Sequence, residues 1–389
     1  MLGKQDSLRR GGYRMHVEPN ELLVGVGRRW RSVVARAVIL GIMVAGCAVF
    51  LTADLSEPGQ DVSSPVPATE RAIGVEAVAY SPDGRTIASC GWDTSVCLWD
   101  VGRGGGDRSC EPVYLNHDTP RLALAFSPDG RYFAASGQGS LAVWSRESGR
   151  YKPLFERTGP TFRCLAFSPD GATLALGGDD GAVRLWEISN WRERAILLDH
   201  LDVVRCLAFS PDSQRLVSSG QDRLVILWDA VRGVAIRQLA KPGTNPVQLA
   251  AFSPDGKTVA IGEISGYPHD VTLVDPETGA VRAALSGHRG GIRALAFSPG
   301  GRTLATAGVD GCIKLWDPSS GKERQTISEH VGRVKALAFS PSGGDLVFAD
   351  SDDNLRLLDL KPNRTRLFSR VLTKDASRPG STSLRPIHS

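Results

Sequence analysis

The 389-residue sequence lacks the short motifs by which most hydrolases, redox proteins and metalloproteins are detected. It contains no C-x-x-C pair, no H-E-x-x-H helix and no G-x-S-x-G nucleophile turn. A Gly-Lys-Thr triplet at residues 256–258 is not a phosphate-binding loop, because Ala251 stands where the first glycine is needed. We therefore expect a protein that is not an enzyme, with no catalytic residues, no metal ligands and no cofactor.

Cysteine and histidine are few and do not form an obvious site. The seven cysteines do not have the regular spacings of a disulfide framework. Cys90, Cys97 and Cys110 are close enough in sequence for one bridge among them, but the spacing does not say which pair forms it. Six of the seven histidines fall in the tails or at a repeated position. The remaining one, His269, is expected in a loop, where a single histidine is most often solvated.

The charge distribution argues against one class of partner. The formal net charge is +4, but residues 1–36 and 361–389 are basic, so the intervening chain is about seven charges negative. Proteins that bind nucleic acids usually present a basic surface. We therefore expect no nucleic-acid ligand.

One phrase, A-F-S-P-D-G or a near copy, occurs seven times. Its serines are 41 to 46 residues apart: Ser81, Ser127, Ser168, Ser210, Ser253, Ser298 and Ser340. A period in the low forties is typical of a stacked repeat fold. The chain from about residue 72 onward is therefore predicted to be an array of similar units.

Residues 288–317 show the strands of one unit. Large and small apolar residues alternate over 292–297, as in a strand, and the Ser-Pro-Gly-Gly at 298–301 is typical of a tight turn. Residues 303–306, 312–316 and 324–327 predict three more short strands. Four short antiparallel strands form one propeller blade, so the sequence predicts an all-β, seven-bladed β-propeller over residues 72–372.

A tryptophan–aspartate pair ends the third predicted strand of three units: Trp99-Asp100, Trp228-Asp229 and Trp316-Asp317. Over roughly 300 of its 389 residues the chain thereby resembles the WD-repeat (WD40-type) β-propellers. The resemblance implies a hydrogen-bonded set of His, Ser or Thr, Asp and Trp in a blade, and a function in protein–protein contacts. Only two units carry all four residue types: His200, Ser218, Asp222 and Trp228, and His288, Thr306, Asp310 and Trp316.

A basic pattern recurs where the first predicted strand of a unit begins. Four of the seven units place a cation four residues before the strand's aromatic residue: Arg163, Arg205, Arg293 and Lys335. The turn expected at the same end carries carboxylates: Asp180, Asp222, Asp310 and Asp352. One interpretation is that each cation forms a structural ion pair. The other is a partner-binding rim that also includes Trp92 and Arg333, because Trp and Arg are enriched in binding hot spots.

An apolar run at residues 37–53 predicts a transmembrane helix. Its 17 uncharged residues, or 21 counted from Val33, would cover about 26–31 Å, close to the thickness of a bilayer core. Arginines precede the run and carboxylates follow it, and a positive flank stays in the cytoplasm. We expect a basic cytoplasmic segment at 1–36, a single-pass anchor at 37–53, a flexible linker at 54–71, an extracytoplasmic propeller and a disordered tail at 373–389.

Three alternatives to an uncleaved anchor remain open, namely a cleaved signal peptide, a lipoprotein signal and a buried helix. Residues 44–47 resemble the motif in which a cysteine, here Cys47, is lipidated. We interpret the chain as a membrane-anchored member of bacterial type, acting as a non-catalytic scaffold or interaction platform for protein partners. The alternative function is a small-ligand or hydrolytic site in the central channel. The strands expected to face the channel are mostly Ala, Leu and Phe, which favours the platform.

Ring closure is predicted to use the C-terminal end of the array. WD-repeat proteins often take the outermost strand of the last blade from the N-terminus, which here would fall on residues 64–69. Two prolines in that stretch cannot donate ladder hydrogen bonds. Residues 364–372 follow the seventh unit at nearly the expected spacing, so we predict that they close blade seven.

Overall fold

The computed structural model describes residues 74–92, 96–101, 111–113, 119–239, 246–263, 269–328, 332–352, 354–361 and 364–370. Within these ranges the chain forms 28 strands in seven four-stranded sheets. Each sheet uses four consecutive strands, and every neighbouring pair is antiparallel. The predicted all-β, seven-bladed propeller with four-stranded antiparallel blades is confirmed.

The first four blades follow one another along the chain. Blade one contains β1 (Val75–Tyr80), β2 (Thr86–Gly91), β3 (Val96–Asp100) and β4 (Glu111–Val113). Blade two contains β5 (Arg121–Phe126), β6 (Tyr132–Gly137), β7 (Ser140–Glu147) and β8 (Arg150–Thr158). Blade three contains β9 (Phe162–Phe167), β10 (Thr173–Gly178), β11 (Val183–Glu187) and β12 (Arg192–Leu197). Blade four contains β13 (Val204–Phe209), β14 (Arg215–Gly220), β15 (Val225–Asp229) and β16 (Val234–Gln238).

The last three blades repeat this order. Blade five contains β17 (Val247–Phe252), β18 (Val259–Glu263), β19 (His269–Val274) and β20 (Val281–His288). Blade six contains β21 (Ile292–Phe297), β22 (Leu304–Gly308), β23 (Ile313–Asp317) and β24 (Lys322–Ile327). Blade seven contains β25 (Val334–Phe339), β26 (Asp345–Asp350), β27 (Asn354–Asp359) and β28 (Arg364–Arg370). In blade six the first strand has the predicted limits, and the other three differ from prediction by one or two residues at their ends.

The first strand of each blade is the innermost one. First strands of neighbouring blades pack on one another in a closed cycle, from β1 through β5, β9, β13, β17 and β21 to β25 and back to β1. They therefore surround the central channel. The fourth strand lies at the outer edge, and β16 is exposed along its whole length.

The repeated Ser-Pro-Asp-Gly phrase forms the turn between the first and second strands. In blade one, the Ser81 hydroxyl donates to Asp83 at 2.6 Å and accepts the backbone N–H of Thr86 at 2.9 Å. Gly84 has a φ of 68°, a conformation that glycine adopts without steric cost. The turn thus satisfies its own polar groups at the end of the disc where the inner strands finish.

The hydrophobic core lies between adjacent sheets, and the same packing closes the ring. Val75, Ile87 and Trp99 of blade one pack against Val347 and Leu357 of blade seven. The strand β28 pairs with β27, so the prediction that the C-terminal segment supplies the last strand of blade seven is confirmed. Within the described ranges, the first and last blades are therefore joined by side-chain packing rather than by a shared strand.

The segments predicted at 1–36, 37–53, 54–71 and 373–389 lie outside the described residues. Among the residues that are described, no helix is long and apolar enough to cross a bilayer. Cys97 is disulfide-bonded, whereas Cys90 is buried and free. Cys90 therefore takes no part in the bridge.

Candidate functional site

Side chains from the inner end of every blade line one cavity of about 480 Å³ at the entrance to the central channel. Its lining comes from all seven blades: Glu76, Trp92, Leu122, Arg163, Arg205, Leu249, Arg293, Arg333, Val334, Lys335 and Ser351. All six residues predicted for the partner-binding rim are among them. We call this set of residues the channel mouth.

A repeated irregularity of the inner strands explains why these side chains converge. In each blade the pairing between the first and second strands shifts register between the first and third residues of the inner strand. The second residue of the strand is therefore left out of the ladder, as at a β-bulge, which redirects its side chain. This second residue is Arg163 in β9, Arg205 in β13 and Arg293 in β21. The bulge thus aims the predicted cations at the channel axis.

Two of the cations have carboxylate partners. Arg163 binds Asp179 through Nε at 2.5 Å and Nη2 at 2.8 Å. The Lys335 ammonium lies 3.8 Å from the Glu76 carboxylate, which also accepts the indole N–H of Trp92 at 2.9 Å. For Arg163 and Lys335, an ion pair at the mouth is therefore present.

For Arg205 and Arg293 the described residues contradict the ion-pair interpretation. The turn carboxylates predicted as their partners are engaged elsewhere, since Asp180 binds Arg184 while Asp222 and Asp310 bind histidines. Within the described residues, no carboxylate lies within 4.0 Å of three guanidinium groups of the mouth: Arg205, Arg293 and Arg333. The channel mouth therefore carries positive charge that its own carboxylates do not neutralise.

Arg205 shows the physical consequence of this imbalance. Its side chain is half-buried, and its Nε is buried with no hydrogen-bond partner among the described residues. Burial lowers the pKa of Arg205, and the neighbouring charge of Arg163 lowers that pKa further, against the smaller opposing effect of Asp179. A guanidinium stays charged despite such a shift, so the surroundings of Arg205 disfavour the charge that it carries.

The two complete sets of structural residues belong to blades four and six. In blade four, the indole N–H of Trp228 donates to Ser218 Oγ at 2.7 Å, and Ser218 Oγ lies 2.6 Å from His200 Nε2. His200 Nδ1 lies 2.8 Å from Asp222 Oδ2, which also accepts the backbone N–H of Leu201. Each buried polar group in this chain of four side chains thus has a partner.

Blade six repeats the chain with threonine in place of serine. The Trp316 indole N–H donates to Thr306 Oγ1 at 2.7 Å, and that hydroxyl lies 2.8 Å from His288 Nε2. His288 Nδ1 lies 2.9 Å from Asp310 Oδ2. Since Thr306 accepts from the indole, its own proton is directed to Nε2, which suits a neutral imidazole. Burial accordingly lowers the pKa of His288 despite the adjacent Asp310 carboxylate.

The other blades depart from this arrangement. Trp99 of blade one still donates to Ser89, at 2.9 Å. In blades two and three the equivalent strand positions hold Ala135 and Leu176, which have no hydroxyl. The indole N–H groups of Trp144 and Trp186 are consequently buried without a partner among the described residues. These two blades rely on packing.

Sequence reasoning missed one buried cation, Arg121. It is the first residue of β5, its side chain is 0% exposed, and it donates to Ser140 Oγ at 2.7 Å and Glu156 Oε1 at 2.8 Å. The first residue of every other inner strand is a large apolar one: Val75, Phe162, Val204, Val247, Ile292 and Val334. An arginine at a position that is apolar in six of seven blades was the available signal.

The lining of the mouth combines five cations with one indole ring and one carboxylate. Its lining holds no histidine or cysteine, and its one carboxylate, Glu76, is already bound by Trp92 and Lys335. Within the described ranges, no group of three or more His, Cys, Asp or Glu side chains is arranged to hold a metal ion.

Comparison with known proteins agrees with this architecture. The chain matches the family model of the WDHD1 first WD40 domain over residues 72–357. It is 37% identical over 195 residues to the periodic tryptophan protein 2 homolog of Mus musculus, covering 50% of this chain and 21% of that protein. It is 32% identical over 129 residues to the small ribosomal subunit protein RACK1y of Oryza sativa, covering 31% and 37%.

A further similarity is to the protein groucho of Drosophila melanogaster, with 30% identity over 143 residues, 36% of this chain and 19% of that protein. The chain thus spans between about a fifth and somewhat over a third of the length of these relatives. All three come from eukaryotes, so they lend no support to the bacterial type expected from the sequence.

Proposed function

Because the chain belongs to the WD40 repeat family, we propose that it is a non-catalytic platform for protein–protein contacts that docks its partner at the channel mouth. One observation carries the proposal: three guanidinium groups without a carboxylate partner, within the described residues, share a cavity with Trp92. The Trp92 side chain is 42% exposed although its indole N–H is held by Glu76. An anchored aromatic ring beside arginines is the composition typical of a binding hot spot.

The relatives support the same class of function. RACK1y is a small ribosomal subunit protein by name, and therefore a component of a larger assembly. A rigid seven-bladed disc provides a contact surface at little entropic cost, because its inner strands are fixed by neighbours on both sides.

Co-purification with a matched control tests the docking surface. We expect the double variant Trp92→Ala, Arg293→Ala to lose the partners recovered with the wild-type protein, because both side chains line the mouth and are exposed. The control is Arg131→Ala with Lys257→Ala, two exposed cations in turns at the opposite end of the disc. Loss of the partner in the control pair, with retention in the mouth pair, would place docking on the other face.

We also propose that residues 37–53 tether the propeller to a membrane and that the propeller lies on the extracytoplasmic side. The uncharged run and its arginine flank support this arrangement. The disulfide at Cys97 adds support, because disulfides persist in oxidising compartments and are rare in the cytosol. A lipid on Cys47 is the alternative form of attachment.

Protease added outside intact cells or spheroplasts tests this topology. We expect digestion of the propeller or of residues 54–71, with residues 1–36 protected. Digestion of the propeller only after lysis would reverse the orientation. Palmitate labelling that disappears in Cys47→Ser would identify the lipoprotein form.

A small anionic ligand is the second candidate for the same cavity. The strands facing the channel were expected to be mostly apolar, yet polar side chains converge at its entrance. A volume of about 480 Å³ lies within the range of small-molecule sites. Native mass spectrometry of the purified protein would detect such a ligand as a mass lost in Arg205→Gln and retained in Lys257→Gln.

A further inference from the structure

The channel mouth has two chemically different arcs. Blades three, four, six and seven contribute cations, whereas the adjacent blades one and two contribute Trp92, Glu76 and Leu122. Glu76 is held by Trp92 and Lys335 and its side chain is 33% exposed, so the second arc presents indole and leucine beside one carboxylate that is already paired. A ligand that fits both arcs must carry negative charge next to an apolar group.

The amount of uncompensated charge indicates how many anionic groups the ligand brings. Five cations line the cavity, and Lys335 and Arg163 already face Glu76 and Asp179. The guanidinium groups of Arg205, Arg293 and Arg333 remain, within the described residues, without a carboxylate. One carboxylate neutralises one unit charge, so a ligand that neutralises most of this charge carries at least two. Guanidinium groups bind carboxylates through two parallel hydrogen bonds, which favours this pairing geometrically.

The surroundings of the mouth select the kind of molecule. Over residues 72–372 the propeller has 34 Lys and Arg and 34 Asp and Glu, so without the five cations and Glu76 of the mouth it has 29 against 33, a net charge of −4. The positive charge of the mouth is gathered around a cavity of about 480 Å³. A nucleic acid or an anionic membrane extends far beyond such a cavity and would meet the acidic remainder of the disc. A short peptide segment fits within the cavity and does not reach the acidic remainder of the disc.

We infer that the channel mouth receives a protein segment with two or more neighbouring Asp or Glu side chains and an apolar side chain beside them. This inference rests on the proposed platform function and names the chemistry of its partner. The carboxylates lie against Arg205, Arg293 and Arg333, and the apolar side chain lies against Trp92 and Leu122.

Fluorescence anisotropy with two labelled peptides tests the inference on the full chain in detergent. The probe is Glu-Glu-Leu-Glu-Glu, and its neutral isostere is Gln-Gln-Leu-Gln-Gln. We expect the acidic peptide to bind at least ten times more tightly than the neutral one, and to weaken steeply as salt is raised. Arg293→Gln and Arg333→Gln, both exposed, should each reduce its affinity at least fivefold. The matched exposed control, Lys257→Gln, should change it less than twofold.

Equal binding of the two peptides, or an equal loss in Lys257→Gln, would overturn the inference. Preference for the same peptide with phosphoserine in place of glutamate, without binding of the glutamate form, would also overturn it by assigning a phosphopeptide. The experiment distinguishes failure of the acidic-segment inference from failure of the proposed platform function. If the Trp92, Arg293 double variant still loses its cellular partner while the acidic peptide does not bind, only the carboxylate inference falls.

Discussion

Blades four and two hold a buried tryptophan at the same place in the same sheet, but by different means. In blade four the Trp228 indole N–H donates to Ser218, which continues to His200 and Asp222. In blade two the equivalent position is Ala135, and the indole N–H of Trp144 is buried with no partner within the described residues. Both rings are almost completely buried, and Trp144 packs 5.2 Å from Phe133, centroid to centroid.

This difference shows which interaction the blade requires. Burying a large aromatic side chain stabilises a fold by about 2–3 kcal/mol. A single intramolecular hydrogen bond contributes a net of about 1 kcal/mol. Packing is the larger effect, so a blade survives without the hydroxyl. The hydrogen-bonded chain adds stability only where every member is satisfied, because removing one member leaves the others buried without partners.

The largest expected effect comes from removing a carboxylate that completes a chain. Asp310 accepts from His288 and from the backbone N–H groups of Arg289 and Cys312. Asp310→Ala should therefore lower the free energy of unfolding by about 3 kcal/mol in urea denaturation. Asp352 occupies the equivalent turn of blade seven, and within the described residues its carboxylate has no partner. Asp352→Ala should cost less than about 0.5 kcal/mol, and equal costs would contradict the comparison.

Shortening the two tryptophans compares the blades directly. Trp228→Phe and Trp144→Phe remove the same atoms, but only the first leaves Ser218 without its donor. We expect Trp228→Phe to be more destabilising by about 1–2 kcal/mol, because Trp144→Phe also removes an unsatisfied N–H. Matched urea titrations measure the difference. If Trp144→Phe cost as much or more, hydrogen bonding would not distinguish the two blades.

A complete chain should also give stability a pH dependence through its buried histidine. Burial lowers the folded-state pKa of His288 below its ordinary 6.5. Between that lowered pKa and 6.5 the unfolded chain binds more protons, so stability falls as the pH drops through this window and is fully present above it. The slope for one proton is at most about 1.4 kcal/mol per pH unit.

His288→Gln removes this titration and should flatten the dependence of the unfolding free energy on pH just below pH 6.5. Protonation of Asp310 lowers the free energy of unfolding further, at a lower pH. Burial would raise its pKa, but the N–H of Arg289 and the neighbouring His288 lower it below 3.8 overall. An unchanged slope in His288→Gln would mean that other groups set the acid sensitivity.

The smallest expected effect is a repair of blade two. Ala135→Ser places a hydroxyl at the position that Ser218 occupies in blade four. Both positions are two residues after the residue that pairs with the tryptophan, Phe133 in blade two and Leu216 in blade four. The hydroxyl should accept the indole N–H of Trp144 and stabilise the fold by no more than about 1 kcal/mol. The same substitution combined with Trp144→Phe should be neutral or destabilising, because the hydroxyl then lacks its donor. A gain in both backgrounds would show that the hydroxyl acts elsewhere.

The sequence predicted which residues line the mouth, but it did not predict which groups those residues contact. The position of Arg205, Arg293 and Lys335 in the repeat identified a common place in the inner strand. The alternation of side chains did not reveal that this place is a bulge, which sends these residues to one cavity. One interpretation of the sequence paired Arg163 with a carboxylate of the turn that holds Asp180, whereas Arg163 binds the preceding Asp179. Asp179 and Asp180 are adjacent in the chain but bind different arginines, Arg163 and Arg184, so residue spacing does not choose between them.

The sequence by itself determined the number of blades, the order of their strands and the closing strand of blade seven. Each of these depends on contacts within one repeat, where turn residues and the period of two act over fewer than about ten residues. Only the tertiary structure decided which charges meet. Glu76 and Lys335 are far apart in the chain but lie on adjacent first and last blades, and Arg121 is buried by Glu156 from the opposite edge of its own sheet. Such encounters depend on how seven sheets close around an axis, and that closure is set by packing between blades rather than by any single repeat.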